Sequence, residues 1–324
     1  MTTFPQEFIS PEQGTLLDPN FGRKPQDVSP DATQVKTTVD LQVKLGSLTL
    51  ANPIVTASGT FATGREYAEL IDITRLGALT TKGVSAFAWK GNSGRRLEET
   101  ASGVLNSIGL QNPGVKHFIH YDLPWLQEYA PELPIIVNVV GHRLSDYTAV
   151  IEQLEQVEGI AAYELNISCP NVDAGGMAMG VDAKAAARVT RTCRKLTKRT
   201  LIVKLTPNVT DITRIACAVE TAGADAISLI NTILGLAIDA RSRKMIFKRK
   251  VAGLSGPAIK PVALRMVWEV AHAVDIPLIG MGGAATGTDV VEFMLAGATA
   301  VAIGTANFTN PCATIDALEE LTHY

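Results

Sequence analysis

LIVKLTPNVTDITRIACAVETAGADAISLI (201–230) holds one complete structural unit. LIVKL (201–205) is a short β-branched run, apolar except for Lys204, as a strand buried on both faces requires. DITRIACAVETAG (211–223) has a helical pattern that starts at an Asp and stops at a Gly. DAISLI (225–230) is a second buried strand, so strand, helix and strand follow each other within thirty residues. Moving outward, the same kind of run recurs as PIVTAS (53–58), GALTTK (77–82), PIIVNV (134–139), AAYELNI (161–167), IPLIGM (276–281) and TAVAIG (299–304), giving eight strands. Helical patterns lie between them at 146–157, 182–197, 260–274 and 287–298. Alternating strands and helices pair in parallel, and eight units predict an α/β protein closed into a (β/α)8 TIM barrel. An open doubly wound sheet is the alternative, weakened because no GxGxxG turn follows a first strand.

Three features lie outside the repeat. VDLQVKLGSLTL (39–50) alternates around Gly46 and predicts an N-terminal hairpin. Residues 1–38 are rich in Pro, Gln, Asp and Thr and have no period. They are expected to form a flexible arm ahead of a single barrel domain over 39–324. The connections 84–133 and 234–259 are too long for plain loops and leave strand C-termini, where barrel active sites lie.

Composition narrows the function. With 29 Lys+Arg against 32 Asp+Glu and 6% aromatics, the chain has neither the charge nor the stacking surface of a nucleic-acid binder. No apolar run reaches the roughly 18–20 residues of a membrane span, and the start lacks a secretory signal, so a cytoplasmic location is expected. Four scattered cysteines, none in a CxxC pair, suit a reducing compartment and give no metal or iron–sulfur site. His117 and His120 share a helical spacing, but two ligands do not make a metal centre.

In a barrel, polar residues ending apolar strands ring its mouth. Ser58, Lys82, Asn138, Asn166, Lys204, Asn231, Gly282–Gly283 and Gly304–Thr305 occupy such positions. Three asparagines and two lysines suit a ligand with many hydrogen-bonding edges and anionic parts. GMGG (280–283) and GTAN (304–307) each open a helix after the last two strands, a common phosphate-binding arrangement in barrels. Lys204 would either hold positive charge beside a reduced cofactor or an anionic substrate, or form a Schiff base; position leaves both open. Cys169 precedes Pro170 in a loop after the fourth strand, where a thiol can act as base or nucleophile. Cys193 and Cys217 fall inside amphipathic helices and read as packing. TASGVLNSIGLQNPG (100–114) is either a solvated loop or an amide-rich part of the site.

Together, TASGTF (56–61), LNSIGLQNPG (105–114), ELNISCPNV (164–172), VKLTPNVTDI (203–212), GLSGPAIKPVAL (253–264), IPLIGMGG (276–283) and AVAIGTANF (300–308) resemble the class 1 dihydroorotate dehydrogenases. The resemblance runs in order from about residue 40 to 311. It implies a barrel that binds FMN through Ser58, Lys82, Gly83, Asn138, Asn166, Lys204, Ile230, Gly256, Gly282, Gly283, Gly304 and Thr305. Dihydroorotate would be held by Lys82, Asn106, Ser107, Ile108, Gly109, Leu110, Asn166, Asn171, Asn231 and Thr232. Cys169 matches the base that removes the C5 proton while C6 passes hydride to the flavin, and Lys204 the cation beside the reduced ring.

NISCPNVDAGGMAMG (166–180) is most similar to subgroup B, in which the FMN chain, a homodimer core, pairs with a subunit carrying FAD and a 2Fe–2S cluster. That pairing gives a heterotetramer that reduces NAD. This chain has neither the cysteine cluster nor the dinucleotide fingerprint of such a partner, so any use of NAD would run through another protein. WKGNSGRR (89–96), Ala252–Gly253 and the basic ILGLAIDARSRKMIFKRK (233–250) depart from the family pattern. The competing readings are a fumarate-using subgroup A enzyme, a flavin barrel acting on another dihydropyrimidine, and a lyase using Lys204.

Overall fold

The computed structural model describes residues 39–168 and 179–324; the expected arm over 1–38 lies outside them. Residues Asp40–Tyr324 form one compact unit. A hairpin comes first, β1 (Val43–Leu45) against β2 (Leu48–Leu50), with Gly46 at φ +60° as its turn residue. The eight expected strands all form: β3 (Ile54–Thr56), β4 (Leu79–Thr80), β7 (Ile135–Val139), β8 (Ala162–Asn166), β9 (Thr200–Lys204), β10 (Ala226–Leu229), β15 (Leu278–Met281) and β16 (Ala300–Ile303). They pair in parallel in the order β3-β16-β15-β10-β9-β8-β7-β4, and a parallel bridge between Val55 and Ala78 joins the two ends. The result is a (β/α)8 barrel.

Helices 144–154, 183–194, 212–221, 260–271 and 287–295 lie between strands as expected. Three start on side-chain caps: Asp182 accepts from Ala185 N, Asp211 from Thr213 N and Thr286 from Asp289 N.

Alternation along the strands sorts the side chains. Val137, Tyr163, Leu165, Val203, Ile227 and Leu229 face outward into the large cluster shared with the helices. Ile136, Ala162, Ile202, Ala226, Ile279 and Ala300 face the lumen, and Leu45 and Leu50 of the hairpin pack with them. The lower lumen is therefore a packed apolar core.

Both long excursions carry structure that the sequence reading left as loops. β5 (Leu97–Thr100) and β6 (Gly103–Asn106) form a hairpin in the first. In the second come β11 (Ile233–Leu236), β12 (Ile238–Asp239), β13 (Lys244–Met245) and β14 (Val251–Ser255). β14 pairs with both β6 and β11, so the excursions join in one antiparallel sheet, β11-β14-β6-β5. This sheet forms one wall of the cavity at the strand C-termini.

Candidate active site

Two residues above the apolar lumen, the same strands turn polar. Asn138 follows Ile136, Glu164 follows Ala162, Lys204 follows Ile202 and Ser228 follows Ala226, each pair on one face of its strand. Glu164 (2% exposed) and Lys204 (4%) are the two charged side chains buried among the described residues. Lys204 Nζ lies 3.2 Å from Ser58 Oγ and 3.7 Å from Glu164 Oε2. Glu164 also accepts hydrogen bonds from Asn138 Nδ2 and, at 2.7 Å, from Ser228 Oγ. Asn138 Oδ1 accepts from Asn166 Nδ2 at 3.4 Å. Asn166 Oδ1 accepts from Ser168 Oγ, which accepts in turn from Asn231 Nδ2.

Above this layer opens a cavity of about 510 Å³, within the usual range for a cofactor or small-ligand site. Every site residue expected from the sequence that lies among the described residues lines it: Ser58, Lys82, Gly83, Asn106 to Leu110, Asn138, Asn166, Lys204, Ile230, Asn231, Thr232, Gly256, Gly282, Gly283, Gly304 and Thr305. Cys169 and Asn171 lie outside the described residues.

Lys82 Nζ reaches Gly59 O at 3.2 Å, and burial, helped by the nearby Lys204 charge, lowers its pKa below the ordinary lysine value. Two lysines and one carboxylate leave this end of the cavity with an excess positive charge, suited to an anion.

The glycine turns meet at one wall. Gly256 (φ +93°) and Gly283 (φ +84°) approach so closely that a Cβ on Gly283 would lie 2.8 Å from Gly256 O. The N–H groups of Gly283, Gly304 and Thr305 form no hydrogen bond with another described residue. Free backbone donors beside positive-φ glycines are an anion cradle. The segment 105–114 is not a solvated loop. Leu105 is buried, and buried Asn112 accepts from the N–H groups of Ser85 and Gly114. Asn106 donates to Gly253 O at 3.2 Å, tying the segment to β14.

Sequence reasoning passed over several polar residues in and beneath this space. Glu164, under the cavity floor against Lys204 and Asn138, is the main one, and its signal was a charge at the centre of the apolar run AAYELNI. Asn208 donates to Thr232 O and accepts from Leu234 N, fixing the start of the second excursion. Ser168, Asn92 and Arg249 also reach the cavity. The cysteines read as packing behave so. Cys193 is buried, which pushes its thiol pKa up to about 12, and Cys217 Sγ lies 3.2 Å from Ala273 O.

Comparison with known proteins gives this geometry a family. A family model described as dihydroorotate dehydrogenase matches residues 40–324. The chain is 54% identical over 288 residues to the dihydroorotate dehydrogenase B (NAD(+)) catalytic subunit of Alkaliphilus metalliredigens, covering 89% of this chain and 94% of that protein. The proteins of the same description from Thermoanaerobacter pseudethanolicus and Bacteroides thetaiotaomicron are 51% and 50% identical, covering 88% of this chain and 94% and 93% of theirs. A match across the whole barrel, with the polar ring on its C-terminal face, means that the chain belongs to the dihydroorotate dehydrogenase family.

Proposed function

We propose that this chain is the FMN-binding catalytic subunit of a B-type dihydroorotate dehydrogenase. It oxidises dihydroorotate to orotate in pyrimidine biosynthesis and passes the electrons to NAD through a partner subunit. The observation that carries the reading is the cavity itself, where free backbone N–H groups at Gly283, Gly304 and Thr305 face the same space as Lys82, Lys204 and the asparagine ring. The fit to FMN is chemical. The N–H cradle suits a phosphate, buried Lys204 supplies fixed positive charge, and Asn138 and Asn166 present amide edges to a ring system. FMN, when bound, supplies the hydride acceptor for C6 of the substrate.

The chain's own residues do the rest. Lys82, Asn106 to Leu110, Asn166, Asn171, Asn231 and Thr232 hold the pyrimidine ring and its carboxylate. Cys169 takes the proton from C5. Lys204 stabilises the negative charge that reduction places on the cofactor, and the Ser58 and Glu164 contacts hold its ammonium at the cavity floor. The sheet β11-β14-β6-β5 roofs the site and limits water.

The relatives' names, B (NAD(+)) catalytic subunit, support a partner that carries electrons onward. We assign that partner an FAD and a 2Fe–2S cluster, around a homodimer of this chain in a cytoplasmic heterotetramer. Leu234, Leu236 and Val251 leave apolar surface exposed on the roof sheet, as an interface would. No helix among the described residues is long and apolar enough to cross a membrane.

The test is anaerobic mixing of the purified chain with dihydroorotate while the visible flavin spectrum is followed. A yellow protein that bleaches supports both cofactor and substrate, and NAD with the partner subunit, or fumarate, then identifies the acceptor. A yellow protein that stays oxidised points to another dihydropyrimidine. A colourless chain that FMN cannot reconstitute returns Lys204 to Schiff-base chemistry. Cys169→Ser should retain FMN yet slow its reduction at neutral pH by about 10²–10⁴-fold, the loss of a general base.

A further inference from the structure

Glu164 has no part in the chemistry above beyond touching Lys204, yet three groups converge on it: Asn138, Ser228 and Lys204. A carboxylate is an acceptor only. Because Asn138 approaches Glu164 Oε2, it must present Nδ2 there, which turns its Oδ1 toward Asn166. Asn166 must then present Nδ2 to Asn138 and Oδ1 to Ser168. Ser168 spends its proton on Asn166 and so accepts from Asn231. Each group in the series Asn231, Ser168, Asn166, Asn138 donates to the next, and the series ends on Glu164. The same Oε2 faces Lys204 Nζ at 3.7 Å, while Oε1 accepts from Ser228.

We propose that Glu164 is the positioning residue of this site: its carboxylate fixes the direction of a one-way hydrogen-bond chain across the cavity floor, and its charge balances Lys204 and so sets how strongly that lysine favours a reduced flavin. The second half rests on the flavin reading given above; the first rests on the geometry alone. Glu164→Gln separates the two. Its amide oxygen takes the place of Oε2, facing Lys204 and Asn138. Its NH2 faces Ser228, whose hydroxyl can turn and accept. The chain keeps its direction and only the charge is lost.

The experiment uses the full chain with Glu164→Gln, Lys204→Met and both together, at matched cofactor content. Each single change strands one buried charge, and the double change strands none. Thermal unfolding should therefore show the double variant more stable than either single variant. Additive losses overturn the ion pair, and this readout needs no FMN.

In the flavin-loaded protein, Glu164→Gln should raise the flavin reduction potential and Lys204→Met should lower it. Each shift should be about tenfold in the reduced-to-oxidised ratio, about 30 mV for a two-electron couple. Loosened packing would not move the two in opposite directions, so shifts of the same sign, or none with Glu164→Gln, overturn the balancing role. Orotate affinity should stay within about threefold in Glu164→Gln, below the effect of one lost hydrogen bond. A fall of tenfold or more overturns the directional chain. A wild-type chain that binds no FMN counts against the flavin reading, and the unfolding comparison still decides the ion pair.

Discussion

The barrel lumen is two regions built on the same strands. Its lower half, Ile136, Ala162, Ile202 and Ala226, is apolar and plugged by Leu45 and Leu50 of the hairpin. Its upper half, two residues further along, is Asn138, Glu164, Lys204 and Ser228. All eight side chains are almost completely buried, so burial does not distinguish them. What differs is what burial does. Below, removing apolar surface from water stabilises the fold by about 25 cal/mol per Å². Above, desolvated charges and amides cost stability unless each finds a partner. The lower half makes the barrel, and the upper half uses its rigidity to hold groups that water would otherwise disperse.

The sharpest way to break this division is at Lys204 and Ile202, neighbours on one face of β9. Lys204→Met should lower the rate of flavin reduction by dihydroorotate by about 10²–10³-fold, the usual loss when a preorganised electrostatic group is removed. Stopped-flow absorbance under anaerobic conditions measures it, and a normal rate would take Lys204 out of the chemistry. Ile202→Ala should cost about 2–5 kcal/mol of stability, the range for a large-to-small change in a packed core. FMN affinity should stay within about twofold. Denaturant unfolding and flavin fluorescence report the two quantities. A parallel fall in both would show that the halves are not separable.

Lys82 tests the upper half through pH. Burial, reinforced by Lys204, lowers its pKa in the folded chain below the unfolded value of about 10.4. Below its folded pKa, Lys82 is charged in both states, and holding that charge indoors costs stability. As pH rises from the folded toward the unfolded pKa, the folded state loses the proton first, so the cost is relieved and this contribution increases with pH. Lys82→Met should stabilise the ligand-free chain at pH 7 and remove that alkaline gain. It should also weaken orotate by about 10–100-fold through the lost charged hydrogen bond. Thermal melts from pH 7 to 10 and orotate titration check both. A Lys82→Met chain that melts lower at pH 7 contradicts the burial argument.

The two regions also differed in how far the sequence revealed them. All eight barrel strands and the Gly46 hairpin were legible because their signals are local: a β-branched run, a cap, a glycine stop. The roof sheet was not. β14 meets β6 from about 150 residues away in sequence, and Gly253 opposite Asn106 leaves no mark in either segment read alone. Polar residues ending strands were legible as a ring around a mouth. Glu164 was missed because it sits inside its strand, and the rule that found Asn166 looked only at the end. The stretch 100–114 stood out as amide-rich, yet the side chain of its Asn112 serves the backbone of Ser85 and Gly114. Cys169 and Asn171 were legible as parts of a motif, and their place rests on that motif.

The smallest expected effect lies at the glycine wall, where backbone takes over from side chains. Gly283 sits at φ +84°, and an added Cβ would fall 2.8 Å from both Gly256 O and Lys260 Cβ. Gly283→Ala therefore meets backbone on one side and a strained conformation of its own, worth about 1–2 kcal/mol. The loop must move to relieve this, and its free N–H moves with it. FMN affinity should fall about tenfold, the equivalent of ~1.4 kcal/mol. Riboflavin, which has the same ring but no phosphate, separates the two possible reasons. If the Gly283 N–H holds the phosphate, riboflavin affinity should change far less than FMN affinity, because Asn138, Asn166 and Lys204, the residues proposed to meet the ring, lie elsewhere on the cavity wall. Equal losses for both ligands would mean that the substitution distorts the ring site, and the backbone cradle would lose its assignment as the phosphate end.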